Sequence, residues 1–150
     1  RDPVTRPSAS VTRDMTTWEM YHYVKATNTD SFDGFGSSVA LSGDVLAVGA
    51  PGESSSAIGI GGDGTNNSLP SAGAAYVYLG AKFPPDFLAP QAYVKASNAG
   101  SNDLFGTSVA LAPDGTLAVG APGESSNAVG FATGNQADNS ASGAGAAFLF

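Results

Sequence analysis

Several short phrases occur twice, in the same order, along this chain of 150 residues. YVKATN at Tyr23–Asn28 recurs as YVKASN at Tyr93–Asn98, and GAAYVY at Gly73–Tyr78 recurs as GAAFLF at Gly145–Phe150. The offset between copies grows only from 70 residues to 72, so the chain contains a duplicated unit. A repeat of this length folds as one supersecondary unit that buries its apolar face against its neighbours.

Each repeated phrase has the composition of a short β-strand. The phrases are rich in Val, Leu, Ala and aromatic residues and are bounded by Gly-Asp, Asp-Gly or Pro-Gly turns, and no window has the apolar spacing of a helix. The predicted strands of the first repeat are Phe35–Leu41, Val45–Ala50, Ala74–Leu79 and Gln91–Ala96. The first three recur in the second repeat, and the fourth also precedes the first repeat at Tyr21–Ala26. The chain is therefore predicted to be all-β.

The order of these strands predicts two four-stranded antiparallel blades of a β-propeller, with the N-terminal strand supplying the outer strand of another blade. The predicted divisions are a tail or linker at 1–20, an outer strand plus the first blade at 21–96, and a second blade lacking its own outer strand at 97–150. Two blades cannot close a ring. Either the chain is a piece of a longer array, or copies assemble head to tail, with Tyr21–Ala26 of one beside Ala146–Phe150 of the next.

Composition excludes several classes of partner. The formal net charge is −7, from 13 acidic and 6 basic residues, which argues against nucleic acid because phosphate binding needs clustered Lys and Arg. The apolar runs are too short to span a membrane. The chain has no cysteine, which rules out disulfides and thiolate metal sites.

The residues of the central phrases resemble a known family. Both copies carry a Phe-Gly pair followed by Gly-Ala-Pro; these motif residues are Phe35, Gly36, Gly49, Ala50, Pro51, Phe105, Gly106, Gly120, Ala121 and Pro122. The pattern resembles the FG-GAP repeats of integrin-α-like β-propellers, and most of all the arrays in large secreted or surface-attached bacterial proteins. We interpret these residues as packing and turn residues rather than ligand contacts, because Gly permits close approach and Pro ends a strand.

Calcium is the one cofactor that the sequence suggests. Integrin-type repeats often carry a D-x-D-x-D-G cage between the FG and GAP strands, but the connections Ser42–Asp44 and Ala112–Thr116 are too short to supply six to eight oxygens. The long connections Gly52–Gly73 and Gly123–Gly145 carry mixed carboxylate and amide oxygens instead. The predicted calcium ligands there are Asp63, Asn66, Asn67, Asp138 and Asn139. The alternative is that these side chains only form local turns.

The sequence offers little for catalysis. It has one histidine, His22, and no G-x-S-x-G or H-E-x-x-H motif. GIGGDG at Gly59–Gly64 matches G-x-G-x-x-G, but the residues after it cannot open a helix, so we interpret it as a flexible loop. The chain is predicted not to be an enzyme.

The resemblance implies a non-catalytic extracellular or cell-surface module for binding, adhesion or structure. The expected partners are a protein or a surface glycan, and other propeller blades or copies of the chain, joined through the N-terminal strand and the last strand. Two alternatives stay open: a lectin-like ring assembled from several two-blade chains, and a structural subunit of a surface filament or layer.

Overall fold

The computed structural model describes residues 20, 22–80, 89–131 and 136–150. These residues form seven strands in two antiparallel sheets, without a helix. The first sheet contains β1 (Ser38–Ser42), β2 (Val45–Ala50), β3 (Ala74–Leu79) and β4 (Ala89–Val94). The second contains β5 (Ser108–Leu111), β6 (Leu117–Ala121) and β7 (Ala146–Leu149). The predicted all-β class is confirmed, and the sheets have the form of propeller blades; of the predicted tail 1–20, only Met20 lies within the described residues.

Each blade is a meander in which consecutive strands are neighbours. The predicted limits of β2 and β3 match the observed ones, because both are apolar runs bounded by Gly and Pro. β1 begins three residues later than predicted, since Gly36 has a φ of +96° and leads into the ladder without joining it. β4 begins and ends two residues earlier than predicted, and the register shifts between Val77 and Tyr78 opposite it.

The N-terminal segment predicted to supply the outer strand of another blade, Tyr21–Ala26, forms no strand within the described residues of one copy. Tyr21 lies outside the described residues, and residues 22–26 pair with no strand that the structure describes. A strand forms only where a sheet edge offers main-chain partners, and β7 of the same chain does not provide that edge. Val24 and Ala26 instead pack against the first blade.

The two blades are joined by main-chain hydrogen bonds. The amides of Asn102, Leu104 and Phe105 donate to the carbonyl groups at positions 70, 71 and 72 at 2.9, 3.1 and 3.1 Å. Phe105 is fully buried in the core between the blades, where it contacts the rings of Phe148 and Phe150 edge-on at centroid distances of 5.3 and 6.1 Å.

The Phe-Gly and Gly-Ala-Pro motifs are bonded to each other. The amide of Gly36 donates to the carbonyl of Gly49 at 3.0 Å, and the amide of Gly106 donates to the carbonyl of Gly120 at the same distance. A Cβ at Gly49 would overlap the carbonyl oxygen of Gly106, because the two blades touch there. These positions therefore serve close packing within and between blades.

Candidate functional site

A buried ion pair lies at the outer side of the first blade. The Lys95 Nζ is 2.6 Å from Glu53 Oε2, and the two side chains are 0% and 1% exposed. Lys95 follows β4, whose extension pairs with the long loop: the Lys95 amide donates to the Gly59 carbonyl at 2.8 Å, and the Gly61 amide donates to the Tyr93 carbonyl at 2.9 Å. The glycine-rich stretch predicted to be a flexible loop is thus held beside β4.

Hydrogen bonds complete the surroundings of the Glu53 carboxylate. Asn28 Nδ2 and the Ser55 amide both donate to Glu53 Oε1 at 3.2 Å. The Ser55 hydroxyl also bonds the Tyr93 hydroxyl at 2.5 Å, and the Tyr76 hydroxyl donates to Asn28 Oδ1 at 2.6 Å. We call this set of residues the closed network, because each charge has an opposite charge or a donor in contact with it. Its members are Asn28, Glu53, Ser55, Tyr76, Tyr93 and Lys95.

Burial determines the ionisation of this network. Desolvation lowers the pKa of the Lys95 ammonium, and the Glu53 carboxylate opposes that shift. Desolvation also raises the pKa values of the Tyr76 and Tyr93 hydroxyls above the usual range, so both stay protonated and can donate. The hydroxyls of Tyr76 and Tyr93 are therefore available as hydrogen-bond donors within this network.

The second blade carries the same carboxylate without a cation. Glu124 is 2% exposed; it accepts hydrogen bonds from Asn98 Nδ2 at 2.8 Å and from the Ser126 amide at 3.1 Å. Within the described residues it has no ion pair. Where Tyr76 stands in the first blade the second has Phe148, which lacks a hydroxyl, and the buried Asn98 Oδ1 has no partner among the described residues. We call this set the open network.

The open network lies along a groove of about 650 Å³ beside β7. Glu124, Ser126 and Asn98 line it together with Ala147 and Leu149 of β7. In the described residues β7 pairs with β6 alone, so its outer edge is open where the first blade has β4. The groove occupies the place that β4 and Lys95 fill in the first blade.

Comparison with known proteins identifies the repeats. The FG-GAP repeat family model matches residues 18–78 and again residues 89–150. The chain belongs to the FG-GAP repeat family. A search of curated proteins and a search of solved structures returned no significant match. Each FG-GAP match ends at the third strand of a blade or directly after it, which agrees with the repeat seen in the sequence.

The structure shows the hydrogen bonds that the predicted calcium ligands of the FG-GAP blades make, and several of them are local. The Asp63 carboxylate accepts from the Thr65 hydroxyl at 2.6 Å and from the Thr65 amide at 2.9 Å, and these bonds lower its pKa. Asn66 Oδ1 accepts from the hydroxyls of Ser56 and Ser68, at 3.1 and 2.7 Å. Only Asp63 and Asn66 are in direct contact, through a 3.3 Å bond from Asn66 Nδ2 to the Asp63 carbonyl.

The other predicted ligands lie apart from that pair. Asn67 Nδ2 donates to Asp30 at 2.8 Å, and Asp138 accepts from the Ser140 amide at 2.7 Å, with a lowered pKa because the Ser140 hydroxyl and amide both donate to it. Asn139 is exposed beside Asp138. In the described part of the chain, no three or more His, Asp or Glu side chains lie close enough together to hold a metal ion.

Glu53 and Glu124 lie in the two long connections, and their burial was not predicted from the sequence. A signal was present, because charged residues are few and these recur: Lys25 with Lys95, and Glu53 with Glu124. An acidic and a basic residue that both recur in an apolar repeat are candidates for a buried pair.

Proposed function

We propose that this chain is a non-catalytic binding module of the cell exterior, and that it takes a protein partner along the outer edge of β7. The observation that carries the proposal is the open edge of β7, at the position where the first blade has its fourth strand. An unpaired strand edge offers a row of N–H and C=O groups to an extended peptide. The family supports the location, since FG-GAP repeats are typical of extracellular and surface proteins.

The groove beside this edge suits a peptide that is both apolar and polar. Phe131 and Leu149, which line it, are 102% and 67% exposed, which is unusual for side chains of this size. Glu124 and Asn98 line the same groove and provide polar contacts. Main-chain pairing would give affinity, and these side chains would give specificity.

A labelled peptide tests the proposal directly. The probe is APQAYVKASN, the sequence of residues 89–98, and its binding to the full chain is followed by fluorescence anisotropy. Saturable binding is expected. The control peptide has proline at the position of Ala92, which cannot donate to the β7 ladder and should bind weakly or not at all. Equal binding of both peptides, or no binding of the first, would refute strand addition at this edge.

A structural role in a surface filament or layer is supported by the same open edge, since a head-to-tail contact that does not close produces a filament. Electron microscopy of concentrated protein would show filaments in that case. A lectin-like ring would use the exposed Phe131 as a stacking surface for sugars, and a glycan array tests it. Antibody labelling of intact cells tests the external location.

Calcium binding by the long loops is a separate proposal that rests on the oxygen-rich composition around Asp63 and Asp138. A bound ion stabilises the folded state by about 2.7 kcal/mol when its concentration is a hundred times its Kd. Thermal unfolding with calcium and with a chelator should then differ, and the difference should vanish in a chain carrying both Asp63→Asn and Asp138→Asn. Identical midpoints for the unmodified chain would exclude a calcium site in the loops.

A further inference from the structure

The two repeats can be compared position by position at their outer sides. In the first blade, Tyr93–Ala96 lies against the long loop, placing Lys95 on Glu53 and the Tyr93 hydroxyl on Ser55. In the second blade Glu124 and Ser126 stand at the matching positions, 71 residues later, and face the groove. The groove thus has the receiving groups for a segment of the form Tyr-Val-Lys-Ala.

The chain itself carries such a segment at its other end. Tyr23-Val24-Lys25-Ala26 repeats the sequence of Tyr93–Ala96, but Tyr23 is 80% exposed and Lys25 is exposed as well. Within the described residues Lys25 forms no ion pair, whereas Lys95 is fully buried on a carboxylate.

The far end of this N-terminal segment is already held by the first blade. Ala26 is buried, Asn28 donates to Glu53, and the Tyr78 hydroxyl donates to the carbonyl of Lys25 at 2.9 Å. Asn98 makes the matching bond to Glu124 after Tyr93–Ala96. Tyr23–Ala26 is therefore attached to the first blade in the way that Tyr93–Ala96 is attached to the second. Its Tyr23 and Lys25 side chains remain exposed.

The Phe-Gly motif of the second blade packs against another blade, whereas within the described residues that of the first blade does not. A Cβ on Gly106 would overlap the carbonyl oxygen of Ala74 in the first blade, but a Cβ on Gly36 would meet nothing within 4 Å. The contact that Gly106 makes between blades is thus missing at Gly36. Ala146, which lines the groove, is the residue of the second blade that corresponds to Ala74, so it is the expected contact for Gly36 of another copy.

We propose that the groove of one chain receives the Tyr23–Ala26 segment of a second copy, with Lys25 of that copy paired to Glu124 and Tyr23 bonded to Ser126. The contact is heterologous, so it joins chains head to tail. The inference rests on the proposed binding at the β7 edge and names the occupant of that edge. Its charge complementarity is specific, because Glu124 is a buried carboxylate and Lys25 an exposed lysine, and neither forms an ion pair within the described residues.

Sedimentation velocity over a wide range of protein concentration tests the assembly. The unmodified chain should associate, and Lys25→Met or Glu124→Gln should each weaken association by about tenfold or more, because each removes one member of a close charge pair. The double variant should be little worse than either single variant. Asp114→Asn alters charge on an exposed turn and is the control, with association unchanged.

Cross-linking tests the register, since the chain has no cysteine of its own. Ala75 pairs with Val94 in the first blade, so Ala147 should pair with Val24 of the second copy. A mixture of Val24→Cys and Ala147→Cys chains should form a disulfide between chains. Leu149→Cys should not, because it lies two residues along the strand and beyond disulfide reach.

The outcomes separate the two proposals. A chain that stays monomeric at all concentrations while binding the peptide of residues 89–98 refutes self-assembly and keeps strand addition at β7. A chain that neither associates nor binds the peptide refutes both. Association that persists in the Glu124→Gln and Lys25→Met variants refutes the ion pair as its basis.

Discussion

Replacing Lys95 by methionine should destabilise the chain strongly, although methionine is an unbranched side chain of similar length. The Lys95 Nζ lies 2.6 Å from Glu53 Oε2, and neither side chain has meaningful access to water. Methionine removes the cation and leaves the Glu53 carboxylate buried, with hydrogen bonds from Asn28 and Ser55 but no positive charge beside it. Removing one member of a buried pair costs about 3–5 kcal/mol, because the remaining charge is uncompensated.

The loss should be visible in thermal and urea unfolding of dilute protein. For a chain of this size, 1 kcal/mol changes the Tm by about 2–4 °C, so Lys95→Met should lower it by about 6–20 °C. Glu53→Gln combined with Lys95→Met should recover most of the loss, since glutamine is neutral and still accepts from Asn28 and Ser55.

The chain provides its own controls for this prediction. Lys25→Met alters the matching lysine of the segment before the first repeat, which is exposed, and should change the stability of the monomer by less than about 0.5 kcal/mol. Glu124→Gln should be neutral or stabilising, because it removes a buried charge that has no cation in the described part of the chain. A loss below about 1 kcal/mol for Lys95→Met, or simple additivity in the double variant, would refute the buried pair.

Five further substitutions have expected signs. Phe148→Tyr should stabilise the chain by about 1 kcal/mol, measured by urea unfolding, because the new hydroxyl can donate to the unpaired amide oxygen of the open network; a loss would contradict that geometry. Gly49→Ala should cost about 3 kcal/mol and Gly120→Ala about 1 kcal/mol, because the first Cβ meets the main chain of the other blade and the second only a serine side chain. Asp103→Asn should gain stability relative to the unmodified chain as the pH rises above about 4, because burial raises the pKa of that carboxyl and its ionisation then opposes folding. Asp114→Asn should show the opposite sign below that pH: the variant should lose stability relative to the unmodified chain as the pH rises toward about 4, because hydrogen bonds from Thr116 lower the pKa of Asp114.

The strands were predictable because each depends on local composition. Val45–Ala50 and Ala74–Leu79 are apolar runs ended by turn residues, and their limits in the structure are those predicted. Phe35 and Gly36 were included in the first strand, but a φ of +96° at Gly36 keeps the ladder from starting before Ser38. The segment before the first blade has the composition of a strand, yet composition cannot supply the edge that a strand needs.

The candidate site was harder to predict because it joins residues that are distant in sequence. Glu53 and Lys95 are 42 positions apart, and their contact depends on how the long loop folds back beside β4. The contacts of two predicted calcium ligands are local, and such contacts can be predicted from the sequence. Asp63 and Asp138 bond residues two positions ahead, and that turn chemistry was the alternative recognised from sequence.

The main-chain bonds from Asn102, Leu104 and Phe105 to residues 70–72 bear on how such arrays arise by gene duplication. Backbone groups are the same whatever side chains they carry, so a newly copied blade can join its predecessor without matching substitutions on either side. Insertions in the loop ahead of residue 69 leave this junction intact, whereas a proline at position 104 or 105 removes one of its donors. Sequence drift among blades should therefore be greatest in the loop before residue 69 and smallest in the few residues that follow it.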